Sequence, residues 1–213
     1  MIFKKIQNHL EALYRLSFKV DVEHFLVSRK RASANTTFIK NRLGQEALII
    51  RQEGWEVELG LFVANPVLKE LEKRDPFVAV DEKNLKPLCV AVEGVSHFLY
   101  LVKNLEENHP VTQLELELQA EIDKYLLASL LFYHQTGGVP EFLLHHLFEN
   151  FHWDPSLSKP EKKRYAEANR LGAKFCTHLE QNHIRHGRWQ KALEAARHFY
   201  HLDHWSKIRQ LTP

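Results

Sequence analysis

The chain has 213 residues, 44% hydrophobic and 26% charged, an ordinary globular balance that supports a sizeable core and argues against long disorder. No apolar run is expected to reach the roughly 18 residues of a membrane span, and MIFKKIQNHLEALYRL lacks the apolar core and cleavage site of a secretory signal. Two cysteines, Cys89 and Cys176, cannot build a disulfide framework, which points to a reducing compartment with the cytoplasm as default.

Phe3, Ile6, Leu10 and Leu13 recur at helical spacing and predict an amphipathic helix over 2–15. Phe18, Val20, Val22, Phe25 and Val27 suggest extended structure over 18–28, followed by a basic, polar loop over 29–37. Two β-rich runs, 47–51 and 55–63, flank Gly54 and predict a hairpin, because Val57, Leu59 and Leu61 alternate with Glu56, Glu58 and Gly60. Asn65-Pro66 opens a short helix to about Lys73. The β signal ends after Asp75-Pro76, and the chain changes character near residue 80.

A helix capped by Asn84 is expected to run to about Asn104, apolar over most of its circumference. Its polar stripe is Glu93, His97, Tyr100 and Asn104. Residues 114–123 alternate as a strand would. Thr112 and Glu115 form a capping box, Val111 and Leu116 a hydrophobic staple, and the Ala/Leu/Glu/Gln content decides for a helix ending at Gly137-Gly138. That helix has two polar stripes, Glu117/Glu121/Lys124 and Glu115/Gln119/Asp123, of which one is expected to face water. A helix over about 140–151 and a loop at Trp153-Asp154-Pro155 follow. A second capping box, Ser158 with Glu161, opens a helix ending near Gly187. Helices over 188–202 and beyond Asp203 complete the chain. The fold class is α+β and mostly helical: a small α+β part over 1–80 with an antiparallel sheet, packed as one unit on a bundle of about five helices over 81–213.

Candidate chemistry comes first from Glu93, His97, Glu117 and Glu121. Glutamate and histidine four residues apart share a helix face, and two more carboxylates on a facing helix could complete a divalent-metal site or serve His97 as a general base. The plainer alternatives are a solvated stripe, a buried ion-pair network through Lys124, or an oligomer contact made by Glu117, Glu121 and Lys124. The fourteen histidines include His183-x-x-His186 and His198-x-x-His201, a spacing that permits zinc ligation, but no cysteine or carboxylate accompanies them. Scattered exposed histidines are the simpler expectation.

Charge is unevenly spread. Residues 1–51 hold ten Lys/Arg against four Asp/Glu, 52–158 seven against eighteen, and 159–213 twelve against five. Arg29, Lys30, Arg31, Lys162, Lys163, Arg164 and Arg188 are the candidates for an anionic partner, with Trp189, Phe199, Tyr200 and Trp205 interleaved as possible stacking surfaces. No nucleic-acid-binding signature, phosphate loop or nucleophile motif accompanies them. The leading expectation is a non-catalytic binding, scaffold or regulatory protein that contacts an acidic protein or nucleic acid, with no membrane role. The alternative is a metal-dependent or acid/base enzyme, or a metal sensor, between the two central helices.

Overall fold

The computed structural model describes residues 1–34, 44–54, 56–149 and 157–212. Helix α1, Ile2–Tyr14, buries Phe3, Ile6, Leu10 and Leu13 as its spacing predicts. Residues 18–28 are not one extended run. A 3-10 turn, Val22–Phe25, precedes a two-residue strand β1, Leu26–Val27. The cause is buried Gln7 of α1, which donates to the Val20 carbonyl at 2.8 Å and accepts from the Val22 amide at 2.9 Å. Asp21 accepts from the Glu23 amide, so side chains rather than a ladder satisfy this backbone. The basic segment also departs from expectation: Arg29–Ala34 is helix α2, and 35–43 lie outside the described residues.

Strands β2, Glu46–Glu53, and β3, Glu56–Val63, form the expected hairpin, turning at Gly54 with φ 62°. Parallel pairing of β1 with β3 makes the sheet mixed rather than purely antiparallel, in the order β1-β3-β2. Helix α3, Asn65–Lys73, is followed by α4, Leu85–Glu106, and α5, Gln113–Thr136. Both predicted capping boxes are present, Thr112/Glu115 on α5 and Ser158/Glu161 on α7, Lys159–Asn182. Asn84 stands at the start of α4, but its side chain bonds to Asp81 and Ala79 instead of capping the helix. Helix α6 is Phe142–Phe148, and the Trp153 loop falls outside the described residues. Gly187, at φ 67°, turns the chain into α8, Trp189–Tyr200, and Asp203 caps α9, His204–Leu211.

Helices α4 and α5 are the centre of the molecule. The sheet, α1 and α3 pack on α4, while α7 packs on the far side of α5 with α6, α8 and α9 around it. One apolar core, from Phe3 to Leu211, runs through both parts of the chain. Among the described residues α4 alone is long and apolar enough to cross a membrane, contrary to the expectation that no run is. Its most apolar window is 72% buried by the rest of the fold, the position of a core helix.

Two glycines set how closely these layers approach. A Cβ at Gly94 of α4 would lie 2.9 Å from Leu61 Cδ1 and 3.6 Å from Glu46 Oε2, so α4 sits directly on the sheet. A Cβ at Gly172 of α7 would lie 2.9 Å from Glu121 Cβ and 3.3 Å from Phe148 Cε1. Neither neighbour at Gly172 is the free end of a flexible chain, so Gly172→Ala should destabilise the fold by about 1–3 kcal/mol despite alanine's better helix propensity. Urea unfolding measures this directly, and an unchanged or raised midpoint would refute the close approach.

Candidate metal centre

The polar stripe of α4 turns toward α5, not toward water. His97 is 1% exposed and Glu117, on α5, 3%. His97 Nε2 lies 3.5 Å from Glu117 Oε2. One ligand atom from each of Glu93, His97 and Glu117 falls within 4.8 Å of the others. Glu121 and Lys124 close the outer end: Lys124 Nζ donates to Glu121 Oε1 at 2.9 Å and lies 3.6 Å from Glu93 Oε2. These three side chains are 13–19% exposed, so the cluster runs from a dry end at His97 to a partly wetted end at Lys124. All five residues singled out in the sequence are thus brought together, and the Lys124 ion-pair network is also present.

The expectation that one stripe of α5 faces water fails. Glu115, Gln119 and Asp123 are as buried as Glu117, at 1–6% exposure. Packing by α4, α7 and α1 keeps both stripes largely dry, with Glu121 and Lys124 only 13–17% exposed.

Sequence reasoning missed Glu46. It begins β2, is 3% exposed, and places Oε2 3.9 Å from His97 Nδ1. The close seat of α4 at Gly94 brings it there, and no local sequence signal pairs a strand-end glutamate with a helix 51 residues on. His97 therefore sits between two buried carboxylates. Burial works against its charged form, but Glu117 and Glu46 outweigh burial and raise its pKa to about 10. Burial raises the Glu121 carboxyl while Lys124 opposes it, and the Cys89 thiol is pushed up to about 12, chiefly by burial.

The hydrogen bonding of this cluster is incomplete. His97 Nε2 and Glu117 Oε1 are buried without a hydrogen-bond partner. The 3.5 Å separation of Nε2 from Glu117 is an ion-pair contact without hydrogen-bond geometry. Two ligand atoms bound at about 2.0–2.1 Å to a tetrahedral ion stand about 3.4 Å apart. The His97–Glu117 spacing already matches that, and a Glu93 carboxylate oxygen lies within 4.8 Å of a ligand atom of each. Glu46 stands where an orienting carboxylate stands behind a metal-bound imidazole.

The remaining candidates do not converge. His186, His198 and His201 are exposed, and His145 pairs with Glu149 at 2.8 Å one turn on. Among the described residues Glu93, His97 and Glu117 form the only group with metal-ligand spacing. Arg29, Lys30 and Arg31 are on α2, Lys162, Lys163 and Arg164 in the first turn and a half of α7, and Arg188 just before α8. Arg29 lies over Phe62, Arg164 lies over Tyr165, and Arg188 donates to the Asn182 carbonyl. Phe199 and Tyr200 are buried, which removes two of the four interleaved aromatics as stacking surfaces.

A second buried polar network lies on the other side of the α4–α5 pair. Asp123 accepts from the Tyr14 hydroxyl, from Ser96 Oγ at 2.6 Å and from Gln119 Nε2 at 2.8 Å. Burial still raises Asp123 to about 6 against those bonds. Lys207 of α9 is 1% exposed and donates to the Tyr100 hydroxyl at 2.7 Å. Burial lowers its pKa to about 7, opposed by Glu115 and Asp123. A lysine that titrates near 7 when folded and 10.5 when unfolded favours the fold fully only above pH 10.5, and that contribution is lost as pH falls to 7. Lys207→Met should therefore gain stability over the native chain at pH 6.5, within the range of about 1–4 kcal/mol seen when buried charges give way to apolar groups. The gain should shrink toward pH 10. Urea midpoints of both proteins at pH 6.5, 8 and 9.5 test this, and a difference independent of pH would refute it.

No protein-family model, no curated protein and no solved structure matches this chain, so the residues and their geometry alone carry the functional reading.

Proposed function

We propose that the protein binds one divalent transition-metal ion through Glu93, His97 and Glu117, in a metal-sensing or metal-holding role. The observation that carries this is the pair of buried, unpartnered ligand atoms, His97 Nε2 and Glu117 Oε1, in the one three-residue group among the described residues whose ligand atoms converge. Buried polar atoms are hydrogen-bonded in the great majority of cases, and orphans of this kind are what an ion would satisfy. A mixed imidazole and carboxylate set suits zinc, iron or manganese more than calcium or magnesium.

The same geometry argues for sensing or holding over turnover. His97 and Glu117 are too buried to receive a substrate directly, and only the Glu93 end approaches the surface. Lys124 already supplies a positive charge there. Binding would transfer Glu93 from Lys124 to the ion and release the His97 Nε2 proton to solvent, leaving Nδ1–H directed at Glu46. Affinity should accordingly rise as pH climbs toward 10.

The acidic-partner reading ranks second. It is supported by the exposure of Lys30, Arg31, Lys163 and Arg188 and weakened by the burial of Phe199 and Tyr200. Association driven by these residues would weaken steeply with salt.

Metal content after dialysis of the purified chain against Zn²⁺, Mn²⁺ or Fe²⁺ is the deciding measurement. One ion per chain is expected, with His97→Gln and Glu117→Gln each losing more than the tenfold to hundredfold that Glu46→Gln should cost. Lys124→Met should raise affinity by releasing Glu93 and Glu121. Substoichiometric metal in the native chain, or metal retained in both ligand variants with their helical content intact, would overturn the proposal.

A further inference from the structure

A second site lies away from the buried cluster, in the wedge between the end of α5 and the start of α8. Gly137 ends α5 and Gly187 turns the chain into α8, both with positive φ, and residues near these two helix ends line a cleft of about 670 Å³. That volume is within the range of roughly 300–1,000 Å³ typical of small-molecule sites. Leu130 and Tyr133 of α5 form one wall, and Trp189 and Leu193 of α8 the other. Tyr133 is 39% exposed, although most of α5 is buried. Its ring stands 5.0 Å from that of Trp189, inclined by 48°, so the aromatic pair borders the cleft without closing it.

The charge around this aromatic surface is net positive, two cations against one carboxylate. Arg188 and Lys191 line the cleft and are exposed, and neither has a carboxylate partner among the described residues. The carboxylate that also borders the cleft, Glu194, accepts from Gln190 Nε2 at 2.8 Å. Neighbouring His183 registers the field: partial burial lowers its pKa first, and Arg188, His178 and Lys191 lower it further.

We propose that this cleft binds a small organic anion with a planar aromatic body, its ring against Tyr133 and Trp189 and its carboxylate or sulfonate against Arg188 and Lys191. Aromatic area supplies the binding energy, since flat rings stack on Tyr and Trp at low entropic cost. The two cations supply selectivity, because they reject a cationic ligand and leave a neutral one without its polar contact. The site is separate from the metal cluster, whose α5 ligand, Glu117, lies in the first turns of that helix while Leu130 and Tyr133 lie in its last turns.

The probe is 2-naphthoate, with 2-naphthalenemethanol as its uncharged counterpart, titrated into the ¹⁵N-labelled full chain. The readout is the indole N–H resonance of Trp189, assigned by its loss in Trp189→Phe. Trp205, 71% exposed on α9, serves as the internal control for non-specific stacking. Naphthoate should shift Trp189 saturably and leave Trp205 in place, with at least tenfold higher affinity than the alcohol. Arg188→Gln/Lys191→Gln should abolish that tenfold preference, whereas Lys73→Gln on α3 should not change it. Equal affinity for the two probes, equal shifts at Trp189 and Trp205, or a preference that survives the double variant would each overturn the assignment.

Discussion

The close packing of α5 between α4 and α7 is the constraint on which the rest of this protein depends. Gly94 lets α4 press onto the sheet and Gly172 lets α7 press onto Glu121. Between those two contacts lie ionisable side chains that most helices of this composition would show to water. Charged groups are seldom fully buried without partners, because desolvation is costly. Here the cost is offset by mutual pairing: His97 between Glu46 and Glu117, and Lys124 between Glu93 and Glu121. The pairing is incomplete at His97 Nε2 and Glu117 Oε1, and that shortfall gives the cluster its chemical interest.

The same packing divides the α4–α5 interface into two polar layers with different chemistry. The layer holding His97 is rich in carboxylates and leaves Glu117 Oε1 without a hydrogen-bond donor. The layer holding Asp123 is donor-rich, with Tyr14, Ser96 and Gln119 all directed at one carboxylate. The first layer suits a cation, while the second suits a fixed structural role that ties α1, α4 and α5 together. Lys207 brings α9 into that second layer through Tyr100, so the end of the described chain is locked into the centre of the fold.

Much of the fold was legible from local signals. Thr112 with Glu115 and Ser158 with Glu161 announced two long helices because a capping box works within one turn and needs no tertiary partner. The hairpin at Gly54 was legible for the same reason. The misreadings came where side chains distant in sequence took over backbone groups. Gln7 holds residues 20–22 in a turn rather than a strand, and β1 pairs with β3 only because the chain returns to that edge. The Glu93, His97, Glu117, Glu121 and Lys124 set was legible as two facing stripes, since i, i+4 spacing alone puts such residues on one helical face. Glu46 was not, because a strand-end glutamate carries no mark of the helix it will meet.

What the sequence determined by itself, then, was the helices, their caps and which ionisable residues share a face, all consequences of backbone geometry within a few residues. Which face is dry was decided only by tertiary structure. Residues 114–124 carry two polar stripes of similar composition, and nothing within the helix distinguishes them. Burial of both follows from enclosure by α1, α4 and α7, because a charged side chain acquires its environment, its partners and its protonation from whatever packs against it.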